Sequence, residues 1–261
     1  FTRRMKPLKG VITAPTIRPD GSLLDKPGYD PETQLLFVPD GEFPLIPNNP
    51  TEKQVLRAAR KLWRPFRLFP FVDDVARGVH FAALLSALMI HAFSTRLGFA
   101  YDASAAGSGK TMLAQCVGAI VFGKVPGVFS PTSNDEEIRK VVFSALTTGQ
   151  NLIIWDNVDD DFYSKYFANL LTTPSIFGRP LSESIIKEVP NTAMLIVTGN
   201  NLVISKDMVR RVAVARIVPE EERPEDRLFK FNPLKMSLKQ RPELIAAGLT
   251  VMRGFISAGM P

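Results

Sequence analysis

Cysteine and histidine are almost missing from this chain: its 261 residues include one cysteine, Cys116, and two histidines, His80 and His91. A single cysteine excludes an internal disulfide and fits a reducing compartment. Cys116 lies in an apolar run, where a buried helix thiol is the expected role. The two histidines fall roughly on one face of an expected helix, yet no acidic or cysteine ligand stands near them, so no zinc site is expected. Charge is also missing, from position 78 to position 95. That length is at the lower edge for a membrane span. However, His80, Ser86, His91, Ser94 and Thr95 interrupt it, and a helix buried in a large core has the same pattern. The core helix is the expectation, with no membrane contact, and no signal peptide is visible.

What is present describes an ordinary globular chain, 45% hydrophobic and 22% charged. It starts at Phe1, so it is expected to be a piece of a longer polypeptide. A net charge of +6 and a pI near 9.5 make a polyanionic partner plausible.

Three regions are expected. Residues 1–72 hold prolines and glycines from Pro15 to Pro50 with short apolar pieces at 11–13 and 34–38, which reads as short strands and turns lying on another body. A helix should follow over 51–63, started by Thr51. Residues 73–218 form the main α/β unit: a long apolar helix from Asp73 or Asp74 to Phe93, a strand at 97–101, and helices at 112–122 and 133–145. The second of these opens on Ser133 to Glu136 as a capping box. Strands follow at 152–155, 194–198 and 212–218. Alternating strands and helices imply crossovers and a parallel sheet flanked by helices. Residues 219–261 form a C-terminal segment, helical over 241–260.

Four motifs carry the chemistry. Gly107-Ser108-Gly109-Lys110-Thr111 follows an expected strand and opens an expected helix, the context of a P-loop. Its glycines let backbone N–H groups turn toward phosphate oxygens, Lys110 reaches the terminal phosphates of ATP, and the Thr111 hydroxyl holds Mg²⁺. The nucleotide-binding set is Ala106, Gly107, Ser108, Gly109, Lys110, Thr111 and Met112, although the pattern's usual first glycine is Ser104 here. The second motif is an apolar strand running into Asp156, a second Mg²⁺ ligand. In the third, the strand before Asn200 delivers an amide that orients the attacking water. The fourth is Arg210-Arg211, an arginine finger for a neighbouring subunit's γ-phosphate.

In this order and spacing the motifs resemble an AAA+ ATPase, and more narrowly the superfamily 3-like helicase modules of phages, plasmids and mobile elements, often fused to a primase-polymerase. The likeness extends through Asp156-Asn157-Val158, Gly178-Arg179-Pro180-Leu181-Ser182-Glu183-Ser184, Thr198-Gly199-Asn200-Asn201, Asp207 to Arg211 and Arg241 to Ala247. It covers roughly positions 73 to 261.

The resemblance implies a ring, hexameric in that group, in the cytoplasm of a prokaryotic host, with ATP sites between subunits and single-stranded DNA in the pore. It also implies that Arg179 and Lys187, on a hairpin pairing 179–181 with 185–189 around Ser182-Glu183-Ser184, contact DNA phosphates. One position departs from the family: Asn157 stands where an acid usually serves as general base. Asp159 or Glu136 and Glu137 would then supply the base, or catalysis would rest on positioning, or hydrolysis would be slow. An assembly switch acting on a protein partner and a small-molecule kinase are the competing functions; the kinase lacks the asparagine strand and arginine pair as a signature.

Overall fold

The computed structural model describes residues 6–180, 185–219 and 231–260. The N-terminal stretch forms five short strands: β1 (Gly10–Ile12), β2 (Thr16–Ile17), β3 (Leu23–Leu24), β4 (Gly28–Asp30) and β5 (Leu35–Phe37). β5 pairs in parallel with β1 and antiparallel with β4, while β2 pairs antiparallel with β3. The Arg18 guanidinium, 3.0 Å from Asp30, holds that carboxyl down at about 2.

Helix α1 (Glu52–Trp63) starts where Thr51 and Gln54 cap each other reciprocally. Helix α2 (Asp74–Leu88) is capped by Asp73, whose carboxylate accepts from the Ala76 N–H at 2.7 Å. It stops at Leu88, short of the expected Phe93. The Leu88 carbonyl accepts from the Thr16 hydroxyl at 2.8 Å, and those of Ile90 and Phe93 accept from the Arg96 guanidinium. Side-chain donors thus replace the N–H groups of a further helical turn. The inner face of the uncharged stretch is core, with His80, Ala83, Leu84, Ala87 and Leu88 buried. Among the described residues no helix is long and apolar enough to cross a membrane.

The central elements are β6 (Gly98–Ala103), α3 (Lys110–Phe122), α4 (Asp135–Thr147), β7 (Leu152–Phe162), α5 (Lys165–Leu170), β8 (Ser175–Gly178), β9 (Lys187–Pro190), β10 (Met194–Ile204) and β11 (Val212–Ile217); α6 (Pro233–Lys239) and α7 (Arg241–Ser257) close the chain. Helix α4 is capped by Asn134, whose side chain accepts from Glu136, and not by Ser133. Helix α7 ends at Ser257, short of 260.

The main sheet has the order β11-β6-β10-β7 with every pair parallel. Its strands alternate between two cores. Tyr101, Ile154 and Ile196 face a cluster shared with α1, α2, α3 and α7, while Ala100, Ile153, Leu195 and Val197 face one shared with α4 and α5. Helices therefore cover both faces, the arrangement an all-parallel sheet requires. From β6 the chain crosses over the later β10 to reach β7, and it finally adds β11 on the other side. The order reverses at β6, which opens a crevice at the carboxyl ends of the strands.

β7 and β10 run well past the expected ends at 155 and 198. Two irregularities let pairing continue. Trp155 to Val158 lies opposite Val197 to Gly199, with Asn157 at φ +64, and Asn200 to Val203 lies opposite Asp159 to Asp161, with Asn201 at φ +50. Each is a β-bulge built on asparagine, which tolerates the left-handed region better than most residues.

His80 sits fully buried among Trp63, Phe66, Phe71 and Tyr101, with Nδ1 2.7 Å from the Tyr101 hydroxyl. Burial pulls its pKa down to about 3, and burial followed by the charge of Arg96 pulls His91 down to about 4. Both are neutral in the folded protein and near 6.5 when unfolded. The unfolded chain therefore binds more protons below pH 6.5, and stability falls as pH drops from there toward 4. Melting temperature followed from pH 7.5 to 4.5 is expected to fall more steeply in the wild type than in His80→Gln.

Candidate active site at the carboxyl ends of the strands

The crevice is lined first by the loop between β6 and α3. Gly107 and Gly109 hold φ of +71 and +95, and a Cβ on Gly109 would stand 3.0 Å from the Phe69 ring. Both conformation and space therefore demand glycine there. Helix α3 begins at Lys110 with no side-chain cap, so its first N–H groups are left to a ligand at the positive end of the helix dipole.

The Lys110 ammonium is buried and, among the described residues, donates only to neutral oxygens: Asn200 Oδ1 at 2.7 Å, Ser108 Oγ at 2.9 Å and the Ala105 carbonyl at 3.0 Å. Burial lowers its pKa, with Asp102 and Asp156 pulling the other way. A buried cation with no carboxylate in salt-bridge range among the described residues is poised for an anion. Beside it the Thr111 hydroxyl donates to Asp156 Oδ1 at 2.7 Å. A hydroxyl and a carboxylate converging beside this loop are the hard oxygen donors that Mg²⁺ takes, so these residues fit that ion. Ala106 is exposed and Met112 half-buried at the edge of the loop.

The bulge in β7 explains how Asp156 reaches Thr111. Asp156 and Asn157 together oppose Thr198, whose hydroxyl donates to Asp156 Oδ1 at 2.6 Å and accepts from the Asn157 N–H at 3.0 Å. Asp156 therefore lies within a continuing strand, not at its end. Asn157 is exposed, as is Asp159, the register partner of Asn200. Glu136 and Glu137 are paired with Lys140 in the first turn of α4, whose packing is on the other face of the sheet.

Arg210 and Arg211 do not join this cluster. Val212 pairs with Gly98 and Ile217 with Ala103, so the arginines stand at the amino end of β11 while the loop leaves the carboxyl end of β6. The length of β6 separates them, roughly 20 Å at strand rise. Arg211 is 3.2 Å from Asp207, and with Arg210, Thr95, Arg96 and Thr172 it lines an open cavity of about 570 Å³.

The hairpin also differs from expectation. β8 and β9 pair antiparallel with Gly178 opposite Lys187, so the first strand precedes Arg179. Ile176 is buried, whereas Pro180 has no N–H for a ladder. Arg179 and Lys187 are exposed beside Phe177, Ile185 and Ile186, each more than half exposed. The expected tip, Ser182-Glu183-Ser184, lies outside the described residues.

Two buried polar residues at this crevice had no role in the sequence reading. Thr198 is one. The other is Asp102, whose carboxylate accepts from the Leu202 N–H at 2.8 Å and stands 3.6 Å from Arg216. Its signal was a lone acid in an apolar strand directly before the loop.

No protein-family model matches the chain, and no curated protein matches it. Among solved structures it is similar to the NrS-1 C-terminal region, at 14% identity and a TM-score of 0.49 over 90% of this chain and 53% of that one. A second structure of that region, residues 305–718, gives 16% identity and a TM-score of 0.46 over 83% and 50%. JCV helicase gives 14% identity and a TM-score of 0.33 over 78% and 61%. The chain thus spans about half the length of the NrS-1 region.

Proposed function

We propose that this chain is the ATPase module of an ATP-driven DNA helicase or translocase that serves replication of a phage or mobile element inside a prokaryotic host. In this reading 73–218 is the AAA+ core, with 1–72 and 219–261 appended to it, alongside a primase-polymerase region fused or associated. The observation that carries the reading is the joint placement of Lys110 on Asn200 and of Thr111 on Asp156, at the crevice of a parallel sheet. ATP phosphates would lie on the loop and the α3 N-terminus, with Mg²⁺ between Thr111 and Asp156. Mg²⁺ would supply charge neutralisation at the β- and γ-oxygens.

Asn200 orients the attacking water, and Asp159, one strand away in register, is the acid best placed to accept its proton in place of Asn157. Since Arg210 and Arg211 stand at the opposite end of the sheet from their own loop, they serve a neighbouring copy in a ring, hexameric in the group the motifs resemble. Single-stranded DNA passes along the β8–β9 hairpin, with Arg179 and Lys187 on its phosphates.

The test is ATP hydrolysis with and without single-stranded DNA, together with a size measurement with and without nucleotide. Stimulation by DNA, weakening steeply with salt, and a nucleotide-dependent oligomer are expected. Hydrolysis indifferent to DNA by a monomer would end the helicase reading. Mixing Lys110→Ala with Arg211→Ala subunits is expected to recover part of the activity that each lacks alone, because mixed interfaces pair an intact loop with an intact arginine.

A further inference from the structure

We propose that Thr198 is a positioning residue for the Mg²⁺ carboxylate, an inference that rests on the phosphate-site reading above. Thr198 is buried at 1% exposure on β10, and both capacities of its hydroxyl are in use. Its one proton goes to Asp156 Oδ1 at 2.6 Å, and its oxygen accepts from the Asn157 N–H at 3.0 Å. The bulge creates the need for both bonds. Two residues of β7 face one residue of β10, so the Asn157 N–H leaves the strand ladder, and its partner is a side-chain oxygen.

Asp156 Oδ1 accepts two hydroxyl protons, from Thr111 at 2.7 Å and from Thr198. These two donors differ in what else holds them. A hydroxyl oxygen keeps its lone pairs while it donates, so Thr111 would hold Mg²⁺ and its bond to Asp156 together, and its place would follow the ion. Thr198 is held instead by the Asn157 N–H on its oxygen. It would hold the carboxylate by Oδ1 with or without the ion, leaving the carboxylate's other lone pairs for the ion and its water shell. Thr198 touches neither nucleotide nor metal; it acts through Asp156. Residues in this second layer cost about 10–100-fold in metal affinity when removed.

The experiment measures binding of a fluorescent ATP analogue to the whole chain, in EDTA and across a Mg²⁺ titration. Thr198→Val keeps the shape and removes the hydroxyl. It is expected to raise the Mg²⁺ needed for half-maximal enhancement by about 10-fold or more, with binding in EDTA unchanged. Thr198→Ser should behave as the wild type. In an Asp156→Asn background Thr198→Val should add nothing further. Thr198→Ala replaces the valine variant if the latter does not fold, with a cooperative melting transition as the sign of folding. An unaltered Mg²⁺ requirement in the valine or alanine variant overturns the proposal. So does a serine variant as impaired as valine, or an equal loss in EDTA. If the wild type itself shows no Mg²⁺-dependent binding, the phosphate-site reading falls and this one falls with it.

Discussion

Replacing Lys110 with alanine is expected to lower ATP hydrolysis by about 10²–10³-fold or more, the loss typical of one charge-stabilising donor at a developing anion. The ammonium is buried, carries three hydrogen bonds to neutral oxygens and sits at the uncapped start of α3. It is the cation nearest the terminal phosphates in the proposed complex. Truncation would also leave Asn200 Oδ1 without its donor, so the amide proposed to orient water would lose its present anchor. The fold should survive, because among the described residues the Lys110 ammonium bonds only to the loop itself and to Asn200. Melting temperature near the wild-type value with hydrolysis lost is the expected pair of results. A Lys110→Ala protein that hydrolyses ATP at an unchanged rate would refute the site.

The largest expected loss of stability comes from Arg241→Ala, about 3 kcal/mol or more, because a buried charged network is broken from one side. Arg241 opens α7 and is 5% exposed. It donates to the Ile120 carbonyl at 3.0 Å and the Val121 carbonyl at 3.2 Å, in the last turn of α3. It also pairs with Asp40, reaches Thr13 at 3.1 Å and lies over the Phe43 ring. One guanidinium thus satisfies orphan carbonyls, places positive charge at the negative end of the loop-bearing helix, and ties the N-terminal strands to it. In a domain of this size the melting temperature should fall by about 6–12 °C, at roughly 2–4 °C per kcal/mol. Lysine should restore only part of this, since a single ammonium cannot reproduce the fork of contacts. A change under about 1 kcal/mol by chemical denaturation would refute the role, being the size of an ordinary surface effect.

Much of the fold is legible along the chain because it is local. Thr51 with Gln54, and Asp73, mark helix starts through contacts three residues apart. Apolar runs mark the buried strands, and the glycines at 107 and 109 mark a loop that only a left-handed backbone can close. Strand ends were not legible, because an asparagine such as Asn157 or Asn201 is locally as compatible with a turn as with a continuing strand. Pairing with a neighbouring strand makes them bulges, and the strands continue. The stop of α2 was hidden for the same reason: Thr16, 72 residues away, takes the last carbonyl.

The sequence by itself determined that Gly107 to Thr111 forms a tight loop opening a helix, since backbone sterics and helix-end chemistry act over a few residues. Tertiary structure alone decided what that loop faces. Asn200 stands 90 residues from Lys110, Asp156 45 from Thr111, and Thr198 42 from Asp156. Arg210 and Arg211, which follow Asn200 closely in sequence, were carried to the far end of the sheet. The reason is the parallel crossover, which brings every strand's carboxyl end to one edge and returns the chain to the other before the next strand begins.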